Sequence, residues 1–238
     1  MISIAIDGPG GAGKSTAAKA AATRCGLHYV DTGAMYRGIG VWLLRNGIDL
    51  NDQAAVARAI APLDVEVTFD EAGQHIWVDG EDLTPFIRTP EASDAASRSS
   101  AYAEVRAKLL ALQQNLGKKY DIIMDGRDIG TVILPNADLK IYLTADAEER
   151  GRRRFLELLE KGQTDVTLEQ TIEEIKERDY RDSHREVAPL RQAEDALFLD
   201  TTHMNLDEVI DRVCGLIDET KARNEAEAES LAGFLKQA

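Results

Sequence analysis

Cysteine is scarce in this chain of 238 residues: there are two, Cys25 and Cys214. They lie far apart and in no metal-ligand spacing, so they read as reduced structural thiols rather than a disulfide framework or a zinc site. Positive charge is also short. Lysine and arginine total 28 against 42 acidic residues, giving a net charge of −14 and a pI of about 4.8. A general nucleic-acid binder needs a basic surface to displace counterions, so this balance argues against that class and leaves room only for a local basic pocket. No apolar run approaches membrane-spanning length, so no membrane partner is expected. The four histidines, His28, His75, His184 and His203, form no triad and no metal spacing, and read as structural or surface residues.

What is present is ordinary for a soluble globular chain: 44% hydrophobic and 29% charged residues, enough for one sizeable α/β domain or a core with small inserts. Strand-like runs recur between helical ones: "ISIAID" (2–7), "LHYVD" (27–31), "DIIMD" (121–125), "LKIYL" (139–143) and "ALFLD" (196–200). Short apolar runs alternating with long helices predict a parallel sheet buried on both faces. A helix from Lys14 would close at Gly26, and one from about Ala34 at Gly47. The stretch 63–83 differs. Val65, Val67 and Phe69 alternate with polar residues, as do Ile76 and Val78, with "DEAG" and "DG" as turns. It predicts a small antiparallel insert outside the main sheet, followed by helices at about 90–99 and 103–116. Residues 146–187 read as two charged helices, the second opened by a Thr167–Gln170 capping box. Such a pair is either a solvated surface hairpin or a mobile lid. The tail from Lys221 is Ala/Glu-rich and reads as a helical or frayed appendage.

The segment "GPGGAGKST" follows the first strand directly. Gly8, Gly13, Lys14 and Ser15 satisfy the phosphate-loop spacing in its strand–loop–helix setting. Glycines let consecutive N–H groups turn inward around phosphate oxygens, and the positive end of the next helix adds to that field. Gly8, Pro9, Gly10, Gly11, Ala12, Gly13, Lys14, Ser15 and Thr16 therefore form the candidate triphosphate site. Lys14 would reach the β- and γ-phosphates and the Ser15 hydroxyl would ligate Mg²⁺. With the loop starting at residue 8 there is no room for a signal peptide, and a cytoplasmic location is expected. Asp125 closes "DIIM" at the carboxyl edge of the sheet, where an acid beside the magnesium belongs. A strand-closing Asp is equally a turn residue. Asp7 is the weaker alternative, because it feeds the loop itself.

A nucleotide-hydrolysing switch would need a positioned water and usually an Asn-Lys-x-Asp motif, which is absent. The residues suggest an acceptor anion instead. "DTGAMYRG" (31–38) places Thr32, Tyr36 and Arg37 at a strand end and on the next helix. "DGRDIGT" (125–131) adds Arg127 and Asp128; a buried pair between those two is the bland reading, but the carboxyl edge of the sheet favours a ligand role. Arg150, Arg152, Arg153 and Arg154 fall within five residues, and Arg178, Arg181 and Arg185 follow at spacings that let one helical face aim all three inward. Surface salt-bridge ladders are the better reading for Arg150 and Arg152. As a group the arginines suit phosphoryl transfer, which needs charge neutralisation on the migrating group and exclusion of water.

Taken together, "IDGPGGAGKST", "DTGAMYRG", "IRTPEASDAAS", "DGRDIGTV", "EEIKERDYRDSHREVAPL" and the β-rich insert make the chain resemble bacterial cytidylate kinases, nucleoside monophosphate kinases of the P-loop class, over roughly residues 2–220. The resemblance implies an α/β P-loop three-layer sandwich with a central parallel sheet, a small antiparallel β insert and a helical lid. It implies a core at 1–36, 101–147 and 188–220, a monophosphate-binding insert at 37–100, a lid at 148–187 and a tail at 221–238. It also implies ATP as donor, CMP or dCMP as acceptor, Mg²⁺ as cofactor, and a monomer. Carried over by motif, Thr32, Arg37 and Arg127 would hold the acceptor phosphate, with Tyr36 on the sugar side. Ser97, Arg106 and Asp128 would face the base, Arg178 and Asp182 the sugar, and Arg185 the space between base and phosphates. Lys14, Arg127, Arg153, Arg154 and Arg185 would carry the catalytic charge. A same-fold kinase for UMP, AMP or shikimate, or an ATP-binding regulatory protein, remains the alternative. Departures are Thr32 for a common Ser, Gly10 for a more usual Ser or Ala, and the tail. The base assignment makes independent sense: a carboxylate accepts from the cytosine amino group and would repel the uracil carbonyl, each mismatch costing about 1–3 kcal/mol.

Overall fold

A computed structural model describes residues 1–160 and 162–235; Lys161, within the expected lid, and 236–238, at the end of the expected tail, lie outside them. Five parallel strands form the central sheet in the order β2-β6-β1-β7-β8: β1 (Ser3–Asp7), β2 (His28–Asp31), β6 (Ile122–Gly126), β7 (Leu139–Thr144) and β8 (Leu197–Asp200). Alternation along the strands serves two cores. Ile4, Ile6 and Ile123 pack under α1 (Lys14–Cys25) and α8 (Leu206–Leu235), while Ala5, Ile122 and Met124 face α2 (Thr32–Arg45) and α5 (Ala103–Lys119). That is the three-layer α/β sandwich with the strand runs placed within a residue or so of expectation.

Helix α2 starts at Thr32, not near Ala34, because the Asp31 carboxylate accepts from the Ala34 N–H at 2.8 Å and caps it. The short α3 (Gln53–Ile60), capped by Asp52, buries only Val56 and Ile60, a pattern too brief to mark from periodicity. Strands β3 (Val65–Asp70), β4 (Gly73–Val78) and β5 (Glu81–Asp82) form a separate antiparallel sheet, as the alternation predicts. Gln74 of β4 ties it to the main sheet, its side chain bonding both the N–H (2.8 Å) and the carbonyl (3.0 Å) of Asp31. Helix α4 (Pro90–Ser99) then packs on α2.

The charged pair α6 (Ala147–Glu160) and α7 (Leu168–His184) packs together, and the Thr167–Gln170 capping box is formed. Gly151 makes the crossing possible, since a Cβ there would collide with Ile172. Helix α8 continues through the expected tail to Leu235, held by Lys221 Nζ donating to the Cys25 carbonyl (2.8 Å) and Asn224 to Asp138 (2.9 Å). Among the described residues no helix is long and apolar enough to cross a membrane.

Candidate active site

Strand β1 runs straight into the loop that precedes α1. Gly8, Gly11 and Gly13 all have positive φ, and a Cβ on Gly8 would drive into the Leu143 carbonyl of the neighbouring strand, so no other residue fits there. Gly13 offers α1 no side-chain cap, which leaves the first-turn N–H groups to a ligand. Lys14 is buried, its ammonium donating to the Pro9 carbonyl at 2.6 Å. Burial, then the Arg127 guanidinium, pull its pKa well below the lysine range.

The Ser15 hydroxyl donates to one Asp125 oxygen (2.8 Å) and the Tyr29 hydroxyl to the other (2.9 Å). Burial, then the nearby Asp31 charge, push the Asp125 carboxyl up. An anion paired with a hydroxyl beside the loop is the oxygen donor set Mg²⁺ takes, with phosphate and water supplying the rest, so the residues fit that ion. No group of three or more His, Cys, Asp or Glu able to hold a metal occurs among the described residues. Asp7 is spent elsewhere: its two oxygens accept the N–H groups of Ile129 and Gly130 at 2.7 Å each, with burial pushing it up to about 6.

From the loop a cleft of about 1090 Å³ extends between α4, α6 and α7. A single drug-sized ligand fills roughly 300–1,000 Å³. All the expected acceptor residues line it: Thr32, Tyr36, Arg37, Ser97, Arg106, Arg127, Asp128, Arg178, Asp182 and Arg185. Thr32 donates to the Asp125 carbonyl (2.8 Å) and Arg37 to Asp31 (2.7 Å). Arg127 does not pair with its neighbour Asp128. Its Nε donates to Asp182 at 2.8 Å, and against the pull of burial Asp182 and Arg127 stabilise each other's charge. Asp128 instead receives Arg106, while Arg185 Nη2 stands 3.7 Å off. Tyr36 lies beneath Arg106, 5.3 Å from ring centre to guanidinium, its phenol pushed up to about 12 by burial.

Several buried donors in this cleft have no hydrogen-bond partner among the described residues: Ser97 Oγ, Arg37 Nε, Arg178 Nε and Arg185 Nη2. Buried polar atoms left open in a cleft are what a polar ligand satisfies. Burial, then Arg127, bring Arg178 down to about 10; burial, then Arg106, lower Arg185. An arriving anion relieves both.

Two readings of the arginines need correction. Arg150 is not part of a surface ladder: it is buried, donating to the carbonyls of Ala145 (2.7 Å) and Gly10 (2.9 Å) and to Asp179 (2.5 Å). Arg152 does form the expected ladder, with Glu149. Nor do Arg178, Arg181 and Arg185 share one inward face. Arg181 is about half exposed at the rim, 3.6 Å from Asp94, and Arg185 reaches inward because the helix has ended at His184. Arg153 donates to Glu149 (2.9 Å) and the Thr201 carbonyl (2.8 Å), and Arg154 to Glu157 (2.9 Å), both on the cleft wall. Sequence reasoning missed Asp31, Tyr29, Arg88 and Asp179. Asp31 carried a local signal, as an Asp three residues before the N–H it caps, and Arg88 and Asp179 lie within quoted motifs whose other residues drew the assignment.

A glycine loop feeding a buried lysine, a hydroxyl–carboxylate pair beside it, and an arginine-lined cleft beyond define a P-loop phosphotransferase. A family model described as cytidylate kinase matches residues 4–219. The chain is 50% identical to a cytidylate kinase of Caldicellulosiruptor bescii over 215 residues, 90% of this chain and 95% of that one. It is 49% identical to that of an Exiguobacterium species (93% and 98% covered) and 47% identical to that of Bacillus subtilis (92% and 97%). The chain belongs to the cytidylate kinase family.

Proposed function

We propose that the protein transfers the γ-phosphate of ATP to CMP or dCMP, giving ADP and CDP or dCDP. The observation that carries this reading is Asp128, a buried carboxylate inside the cleft, flanked by Arg106 and Arg185, with the Ser97 hydroxyl, unpartnered among the described residues, in the same lining. A cytosine ring offers an amino donor to the carboxylate and a ring-nitrogen acceptor to Arg106. Uracil reverses both, and leaves buried groups unpaired.

ATP lies with its phosphates in the glycine loop, Lys14 leaving the Pro9 carbonyl for the β- and γ-phosphates. Ser15 and Asp125 would hold Mg²⁺, which would supply positive charge against the triphosphate. Thr32, Arg37 and Arg127 hold the acceptor phosphate, with Arg178 and Asp182 at the sugar. An acceptor phosphate oxygen attacks the γ-phosphorus in line as the bond to the bridging oxygen breaks, and ADP leaves. No side-chain nucleophile is needed. Arg127, Arg153, Arg154 and Arg185 neutralise the migrating group, and closure of α6 and α7 as a lid over residues 148–187 keeps water out. The monophosphate-binding insert at 37–100 supplies the other wall.

The test is an ADP-release assay with CMP, dCMP, UMP, AMP and shikimate as acceptors. CMP and dCMP should lead, and Asp128→Asn should shrink the preference for CMP over UMP by about 10- to 100-fold. Equal wild-type rates with CMP and UMP would contradict the reading.

A further inference from the structure

Arg88 sits between the short helical turn Thr84–Phe86 and Thr89, the residue that caps α4, and so belongs to the insert rather than to the main sheet. Its Nη2 lies 3.2 Å from Asp31 Oδ2, the same oxygen that accepts Arg37 Nη2 at 2.7 Å. The other Asp31 oxygen is taken by the Ala34 N–H. One oxygen of a buried carboxylate thus faces two guanidinium groups. Against the cost of burial, Arg37 and then Arg88 hold the Asp31 carboxyl below the usual range.

The Arg88 side chain is 67% exposed, and an ion pair that open contributes little to stability. Its place in the cleft is more telling. Arg88 lines the same cavity as Thr32, Arg37 and Arg127, and Arg37 Nε beside it is buried without a partner. Two guanidinium forks on one carboxylate, each with N–H groups to spare, make a socket for a tetrahedral dianion.

We propose that Arg88 is a substrate-binding residue that grips the acceptor's phosphate together with Arg37, exchanging its contact with Asp31 for the phosphate as the acceptor binds. This rests on the acceptor being a nucleoside monophosphate. It also links the insert to the acceptor: the phosphate draws Arg88, here ion-paired with Asp31 of the main sheet, toward the reacting centre.

The test compares wild type with Arg88→Gln and Arg88→Lys in the full chain, by calorimetric titration with CMP and by the inhibition constant of cytidine, which has the base and sugar but no phosphate. Arg88→Gln should weaken CMP by about 10- to 100-fold while cytidine and the KM for ATP stay within about twofold, and Arg88→Lys should recover part of the loss. CMP affinity unchanged in Arg88→Gln, or cytidine weakened as much as CMP, would overturn the proposal and leave Arg88 a strut of the insert. A wild-type chain that neither binds nor phosphorylates CMP would instead overturn the acceptor reading, and this proposal with it.

Discussion

Among single residues, Arg150 departs furthest from what its neighbours in the sequence suggest. In "EERGRRR" it has the same surroundings as Arg152, and a solvated ladder explains both equally well. The difference lies in partners remote in the chain: the Gly10 carbonyl is 140 residues away and Asp179 is 29 away. Through them Arg150 binds the phosphate loop to α7, so the loop and that helix share one guanidinium. Removing it leaves carbonyls and a partly buried carboxylate without their donor. Arg150→Ala should therefore cost about 2–4 kcal/mol in urea unfolding, reduced from the full buried-pair figure because Asp179 retains some solvent. Arg152→Ala should stay within about 0.5 kcal/mol. Equal small effects would restore the ladder for both. Local pattern places Asp128 at the carboxyl edge of the sheet, whereas Arg106, 22 residues away on α5, is set beside it only by the family resemblance.

Elements were the most legible level. All five strands of the main sheet, the phosphate loop, the hairpin insert and the capping box at Thr167 are written in local pattern, because alternation, glycine and cap chemistry act over a few residues. Legibility failed where geometry follows from the third dimension, as at Arg185, whose inward aim depends on the end of α7. The insert also carries a pH signature. The His75 ring is held between Asp82 at Nδ1 and Asp70 at Nε2, both at 3.0 Å, and those two carboxylates, Asp82 first, raise its pKa. A raised folded-state pKa means the stabilisation is fully present below the unfolded value of about 6.5 and is lost as pH rises through the folded value. Melting temperature should accordingly fall across that window more in wild type than in His75→Gln. Parallel profiles for the two proteins would show that the imidazole contributes nothing there.

For the molecule as a whole, the sign of the charge is the instructive quantity. The chain carries a net charge of −14, yet its cleft gathers Arg37, Arg88, Arg106, Arg127, Arg178 and Arg185 with open donors among them. Composition gives only the total, and the gathering of arginines in one cleft, interleaved there with carboxylates, is invisible to it. Only the spacing of motifs hinted that the arginines converge. Such a cleft, closed by α6 and α7, should let the γ-phosphate reach an acceptor and deny it to water. The most direct measurement follows ADP and CDP together in one reaction with ATP and Mg²⁺, before and after CMP is added. ADP release should be lower by about 100-fold or more without CMP, and should match CDP mole for mole once CMP is present. ADP formed at a similar rate with no CMP, or in clear excess over CDP, would contradict direct transfer in a water-excluding cleft.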